Sequence, residues 1–280
     1  MNAPAVEPQA SAAESTNVSE RSLVSACGHL LFLSLRRLLF SKQTLVCMAL
    51  TTLLVLIVAA WSIPPRRTAR KLAEQVLVTT FVGFLMPIFA ISYGASCVGG
   101  EREDQTLIYL LISPIPRPLI YATKAAAALI QVWVWTTVSL TGLCFCAMMG
   151  GLSTNATLRV LTVFLPASLF GVSAYTALFL LFGAAFRFGT VISLAYWFFL
   201  EVLFGAMPGL VKRITVSFYV KSWIYDAGKD LSLGPLGEVA RKTFLAVSGD
   251  AASLVLATAS ILLLASGAAL FGRREFSELG

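Results

Sequence analysis

Few side chains in this sequence could do chemistry. They are one histidine, His29, five cysteines, one charged cluster, Glu101-Arg102-Glu103-Asp104, and one acid inside a long apolar run, Glu201. Zinc-dependent hydrolysis by H-E-x-x-H needs two histidines one helical turn apart, and His29 is alone. The phosphate-cradling pattern G-x-x-x-x-G-K-[ST] is absent, so any ATP hydrolysis belongs to another subunit. The nucleophile elbow G-x-S-x-G is absent, as is a pair of intramembrane aspartates. The chain therefore reads as a non-enzyme, with no catalytic residue, no metal site and no cofactor of its own. Cys27, Cys47, Cys97, Cys144 and Cys146 lie in or beside apolar stretches, where a thiol packs as a small hydrophobe. His29 reads as an interfacial polar residue.

Glu201 has two readings. An intramembrane carboxylate is costly to bury and faces a bundle interior or water. It serves either as a polar element near a translocation path or a proton-sensitive site, or as a structural partner for Arg187, Lys212 or a backbone group.

The elements that position these residues follow from composition. The chain has 280 residues, of which 58% are hydrophobic and 12% charged, with a formal net charge of +7. Its mean hydropathy is +0.83. So few charges cannot coat a soluble domain of this size, which leaves an integral membrane protein. The basic residues are scattered between apolar runs and form no stripe, which suits anionic lipid head groups and not nucleic acid.

The expected fold is all-α and membrane-integral, with six transmembrane helices near residues 45–63, 76–98, 125–149, 160–186, 189–210 and 251–271. Each run approaches the roughly 20 apolar residues that cross about 30 Å of hydrocarbon, and none alternates as barrel strands do. Residues 1–20 carry only acidic charges and read as a disordered tail, and residues 21–280 form the membrane domain. No basic region precedes an apolar core, so a signal peptide is not expected. Between Arg21 and Lys42, Val24, Cys27, Leu31, Leu35 and Leu38 recur at helical spacing. This is an amphipathic helix in the membrane interface, or else an N-terminal extension of the first span. The stretch from Lys212 to Asp250 mixes Phe218, Tyr219, Trp223 and Tyr225 with basic residues and is expected to lie on, or dip into, one membrane face. Small residues Ala90, Gly94, Ala95 and Gly99 in the second span would admit a neighbouring helix closely.

Six spans put both termini on one side. That side would hold ten Lys and Arg residues and the other eleven, so charge does not orient the chain.

The most informative segment is GGEREDQTLIYLLISPIPRPLIYATK, residues 99–124. Gly99-Gly100 would let the second span bend or end. Glu101, Glu103 and Asp104 would then start a short helix, where its dipole favours anions. Leu107, Leu110 and Leu111 share one face, and Pro114 ends the helix. Such a helix docks on a partner, or it is a solvated loop with a lipid-facing stripe.

GEREDQTL and LLISPIPRPLIYATK resemble the segment after the second span in membrane subunits of ABC exporters of the type-two permease class. MPGLVKRITVSFY, residues 207–219, and the closing Phe271, Arg273, Arg274, Glu275 pattern are similar to stretches found in that family. The resemblance implies that the helix after the second span is a cytoplasmic coupling helix seated on a separate ABC ATPase subunit. That subunit would bind ATP and Mg. Glu101, Arg102, Glu103 and Asp104 would couple by charge, Leu107, Leu110 and Leu111 would form the apolar seat, and Arg117 would anchor. It further implies cytoplasmic termini, a bacterial cytoplasmic (inner) membrane with its lipids, and a second permease copy or a related permease. An ATP-independent channel or scaffold is the alternative, distinguished by the lack of an ATPase partner.

Overall fold

The computed structural model describes residues 27–62, 72–103, 116–205, 211–228 and 247–273, and every regular element among them is helical. In chain order the longer ones are α1 (residues 27–39), α2 (Lys42–Ser62), α3 (residues 72–103), α4 (Arg117–Met149), α5 (Thr154–Ala185), α6 (Gly189–Phe204), α7 (Val216–Ala227) and α8 (Gly249–Arg273), with a single 3-10 turn, Val211–Ile214, before α7. The first part of α3, Leu72–Leu85, is wound as a π-helix, as is the Trp197–Phe204 half of α6.

On α1, Cys27, Leu31 and Leu35 are half-buried and Leu38 is buried, while Phe32, Leu33, Arg36 and Arg37 are exposed. The 4, 4, 3 spacing thus gives the helix one packed side. The chain breaks at Phe40-Ser41. The Ser41 hydroxyl donates to the Leu38 carbonyl (2.7 Å), and Thr44 N–H donates to the Ser41 carbonyl (3.1 Å). A serine that bonds backwards into the preceding turn ends one helix and begins the next.

Five helices are long and apolar enough to cross a membrane: Lys42–Ala60, Val76–Gly99, Arg117–Met149, Thr154–Ala185 and Gly249–Arg273. The fifth expected span corresponds to α6, a shorter apolar helix of at most about 24 Å at 1.5 Å per residue. Residues 206–210, the rest of that expected span, lie outside the described residues, as do residues 1–20. Several helices outrun their apolar cores. α4 starts at Arg117, not near 125, so Lys124 does not flank the span but is buried within it, 2% exposed.

The architecture is a ring around α5. In the crossing windows of α3 and α5, 67% of residues are buried, against 17% in α2 and 22% in α8. α3 and α5 are therefore the interior pair, and α2 and α8 present wide apolar faces outward. α5 touches α3, α4, α6, α7 and α8, with α3 as its most extensive neighbour and α8 next. Apolar faces exposed on α2 and α8, such as Leu53, Leu56, Leu254, Ile261 and Leu262, suit lipid, in which Leu gains nothing by being buried in protein.

α3 and α5 cross at backbone contact. A Cβ on Gly94 would lie 3.0 Å from the Thr176 carbonyl oxygen, and one on Gly183 would lie 2.5 Å from the Ala95 carbonyl oxygen. Gly99 faces the Gly183 Cα across the same seam. The small residues of the second span are the seam, and this accounts for Gly99. It does not end the helix, which runs on to Glu103. Glu101 and Glu103 therefore stand in the last described turn of α3 and not at the start of a new helix.

Gly183→Ala must push this crossing apart. Overpacking of this kind costs about 1–3 kcal/mol. The variant is expected to lose its monodisperse state at lower temperature in detergent. Gly28→Ala, with nothing within 4 Å of an added Cβ, is expected not to.

Candidate functional site

One end of the bundle gathers the chain ends and turns that flank the segment after α3. The Cys97 Sγ donates to the Lys124 carbonyl (3.5 Å), joining the last turns of α3 to the first turns of α4. Gly183 abuts Gly189 across the α5–α6 turn. Gly267 lies against the Tyr121 ring and Gly272 against Pro118, which seats the end of α8 on the start of α4. Thr44 and Tyr93 hydroxyls meet at 3.0 Å, so the α1–α2 junction lies beside α3 near the same end. The described C-terminal helix therefore ends beside the start of α4, and the α1–α2 junction lies beside Tyr93, ten residues before the last described residue of α3.

Of the residues expected to couple to a partner, Glu101, Arg102 and Glu103 lie in the last turn of α3. Arg117 is the first residue of α4, half-buried, with Pro116 before it and Pro118 after it. A proline in the first helical turn sacrifices no hydrogen bond, because those amides have no partner in the helix anyway. Asp104, Leu107, Leu110 and Leu111 lie outside the described residues, as does Pro114. The chain thus leaves α3 and enters α4 from two helix ends held rigidly by their neighbours.

The opposite half of the bundle is built around α7, which turns back against the middle of α5. A Cβ on Gly171 would lie 2.3 Å from a Val220 methyl, and the Phe170 and Trp223 rings meet edge to face at 5.2 Å. α7 also packs on α8 and on the start of α3. The stretch from Lys212 to Asp250 therefore enters the bundle, at least over Val216–Ala227.

Glu201 stands in the last turn of α6 and is 7% exposed. One carboxyl oxygen accepts from Val216 N–H (2.8 Å) and the other from Ser217 N–H (3.3 Å). The Thr215 hydroxyl accepts from Phe218 N–H (3.3 Å). Three of the four amides that a helix N-terminus leaves open are thereby satisfied. Hydrogen bonds to a charged group contribute about 1.5–3 kcal/mol each, and a carboxylate suits the positive end of the helix dipole. The Tyr175 hydroxyl of α5 faces the same carboxyl group, outside hydrogen-bond geometry to it.

Two participants went unnoticed in the sequence. Thr215, one residue before an apolar run, is an N-cap by type and position. Asp226, in the last turn of α7, accepts Gly249 N–H (2.7 Å) at the start of α8. Nothing in its sequence neighbourhood indicates that pairing. The bundle interior also holds Gln131 and Thr136 of α4 and Ser168 of α5, each buried with a polar atom that has no hydrogen-bond partner among the described residues. Among those residues no group of three or more His, Cys, Asp or Glu could hold a metal ion.

Long apolar helices around a buried central pair, with one further helix folded back among them, define a multi-pass α-helical membrane protein. The chain belongs to the ABC-2 family transporter proteins, whose family model matches residues 9–276. No individual curated protein matches it.

Single cysteines test the shared face. At Arg36, Arg187 and Arg273, all exposed, they are expected to react with a membrane-impermeant maleimide from one side of sealed vesicles. A cysteine at Asn155, exposed at the start of α5, is expected to react only from the other side.

Proposed function

We propose that this chain is the transmembrane subunit of an ATP-driven ABC exporter. It forms the substrate path with a second copy or a related permease and couples to a separate ATPase subunit. The observation that carries this reading is the family match across residues 9–276, which covers every described helix. The placement of the helix ends on either side of residues 104–115 supports it. Glu101, Arg102 and Glu103 lie in the last described turn of α3, close to the end of α5 and the start of α6, and the end of α8 sits on the start of α4. A subunit pressing there bears on the ends of several spans at once.

In this reading the connection, residues 101–117, is cytoplasmic, with Leu107, Leu110 and Leu111 as its apolar seat and Arg117 as its anchor. Both termini are then cytoplasmic, α1 lies in the inner leaflet with Arg36 and Arg37 at the head groups, and α6 with its following residues makes the sixth crossing. ATP-driven closure of two ATPase subunits would displace the connection and shift the spans between inward- and outward-facing states by differential contact in each. The chain supplies no nucleotide site, and ATP and Mg belong to the partner.

The test is purification of the tagged chain from native membranes in mild detergent, with partners identified by mass and ATP hydrolysis assayed. The comparison is a variant with Glu101, Glu103 and Asp104 each changed to Lys. An ATPase subunit is expected with the wild type and lost from the variant at equal membrane levels. Recovery of the wild type without any ATPase overturns the reading and favours a channel or scaffold.

A further inference from the structure

Asp226 stands in the last turn of α7, where the dipole disfavours an anion, and Glu201 in the last described turn of α6. Each reaches the N-terminus of the next helix. Glu201 of α6 holds the first two amides of α7, and Asp226 of α7 holds the first amide of α8. The residues around these contacts are shaped for them. A Cβ on Gly249 would come within 3.1 Å of the Asp226 carboxylate, so glycine leaves room for the approach. Gly171 of α5 leaves the same kind of room for Val220.

We propose that Glu201 and Asp226 are positioning residues that pin α7 at both ends and so tie α6 and α8 into one moving body. α7 is too short to hold itself in place. A helix of this length is marginal on its own, and packing must fix it. With both ends pinned, a displacement of α6 is transmitted through α7 to α8, and a break at either end leaves α7 held by its packing on α5, α8 and the start of α3 but without its polar tie at that end. For the exporter this means that the two spans flanking α7 change state together. That consequence rests on the reading above, whereas the strut itself does not.

The experiment measures distances in the chain alone, reconstituted in nanodiscs. Spin labels go on exposed Leu203 of α6 and exposed Leu254 of α8, with the two cysteines that are not buried, Cys27 and Cys146, changed to alanine. Pulsed dipolar spectroscopy is expected to give one narrow distance distribution for the wild type. Glu201→Gln and Asp226→Asn are each expected to shift and broaden it, and the double variant to broaden it no further than the worse single one, since one strut breaks once. A label pair on Leu158 of α5 and Leu254 of α8 is expected to stay unchanged, which separates release of α7 from unfolding. If Glu201→Gln does not fold, Asp226→Asn carries the test alone at the outer end of α7. An unchanged Leu203–Leu254 distribution in the folded variants overturns the proposal, as does additive broadening in the double variant. Because no ATPase is needed, a failed partner purification with a broadened distribution sinks the exporter reading and leaves the strut. A recovered ATPase with an unchanged distribution does the reverse.

Discussion

Backbone amides and carbonyls inside a bilayer have no water to bond, and each one left open costs several kcal/mol. A continuous helix meets this demand by itself. This chain does not remain continuous: the backbone is extended at Thr215, and α7 starts at Val216 against the middle of α5. Every amide at that restart must find a partner within the protein. Glu201 and Thr215 supply three acceptors for them, and Asp226 supplies one more where α8 starts. The intramembrane acid that composition alone makes anomalous is in these terms an expected companion of a helix start buried among other helices. Irregular backbone at such depth is tolerated only where protein covers it, and α5, α8 and the first part of α3 cover α7.

The apolar runs made the helical class and most of the crossings legible, because hydrocarbon thickness imposes a length that sequence displays directly. The seam of Ala90, Gly94, Ala95 and Gly99 was legible too, as a place where something packs closely. Its partner was not, because Gly183 contributes to a contact that only the crossing of two distant segments creates. The same blindness led to the reading of Gly99-Gly100 as a helix break. A glycine that admits a neighbouring backbone and a glycine that frees a turn look alike in one dimension. The charged cluster after it was recognisable, but its place in the last turn of α3 followed from the helix continuing.

Glu201 stood out in the sequence as an isolated charge, whereas Asp226 did not, since it lies in a stretch with ordinary polarity. What relates them is the helix restart after each, and that is a tertiary fact. Thr215 was the one local sign of it, a capping residue ahead of Val216, Phe218 and Val220.

The two ends of the bundle are held by different physics. Near the two helix ends that flank residues 104–115, glycines bring backbones into contact, Gly183 against Ala95 and Gly189 against Gly183, and seat a ring, Tyr121 on Gly267, so little can slide without a clash. Close packing of this kind has one good arrangement and steep walls, and it passes a displacement from helix to helix as a rigid body does. At the far end the packing of Gly171 against Val220 and of Phe170 against Trp223 is joined by a few hydrogen bonds between carboxylates and helix starts, and such bonds break and re-form as discrete events. In the exporter reading, a push delivered at the first end would arrive at the second as a rotation or tilt of whole helices. There it would be resisted by contacts that either hold or release. A stiff face where force would enter, joined to a half with discrete polar ties, suits two states rather than a continuum, because packed interfaces are bistable and not continuously deformable.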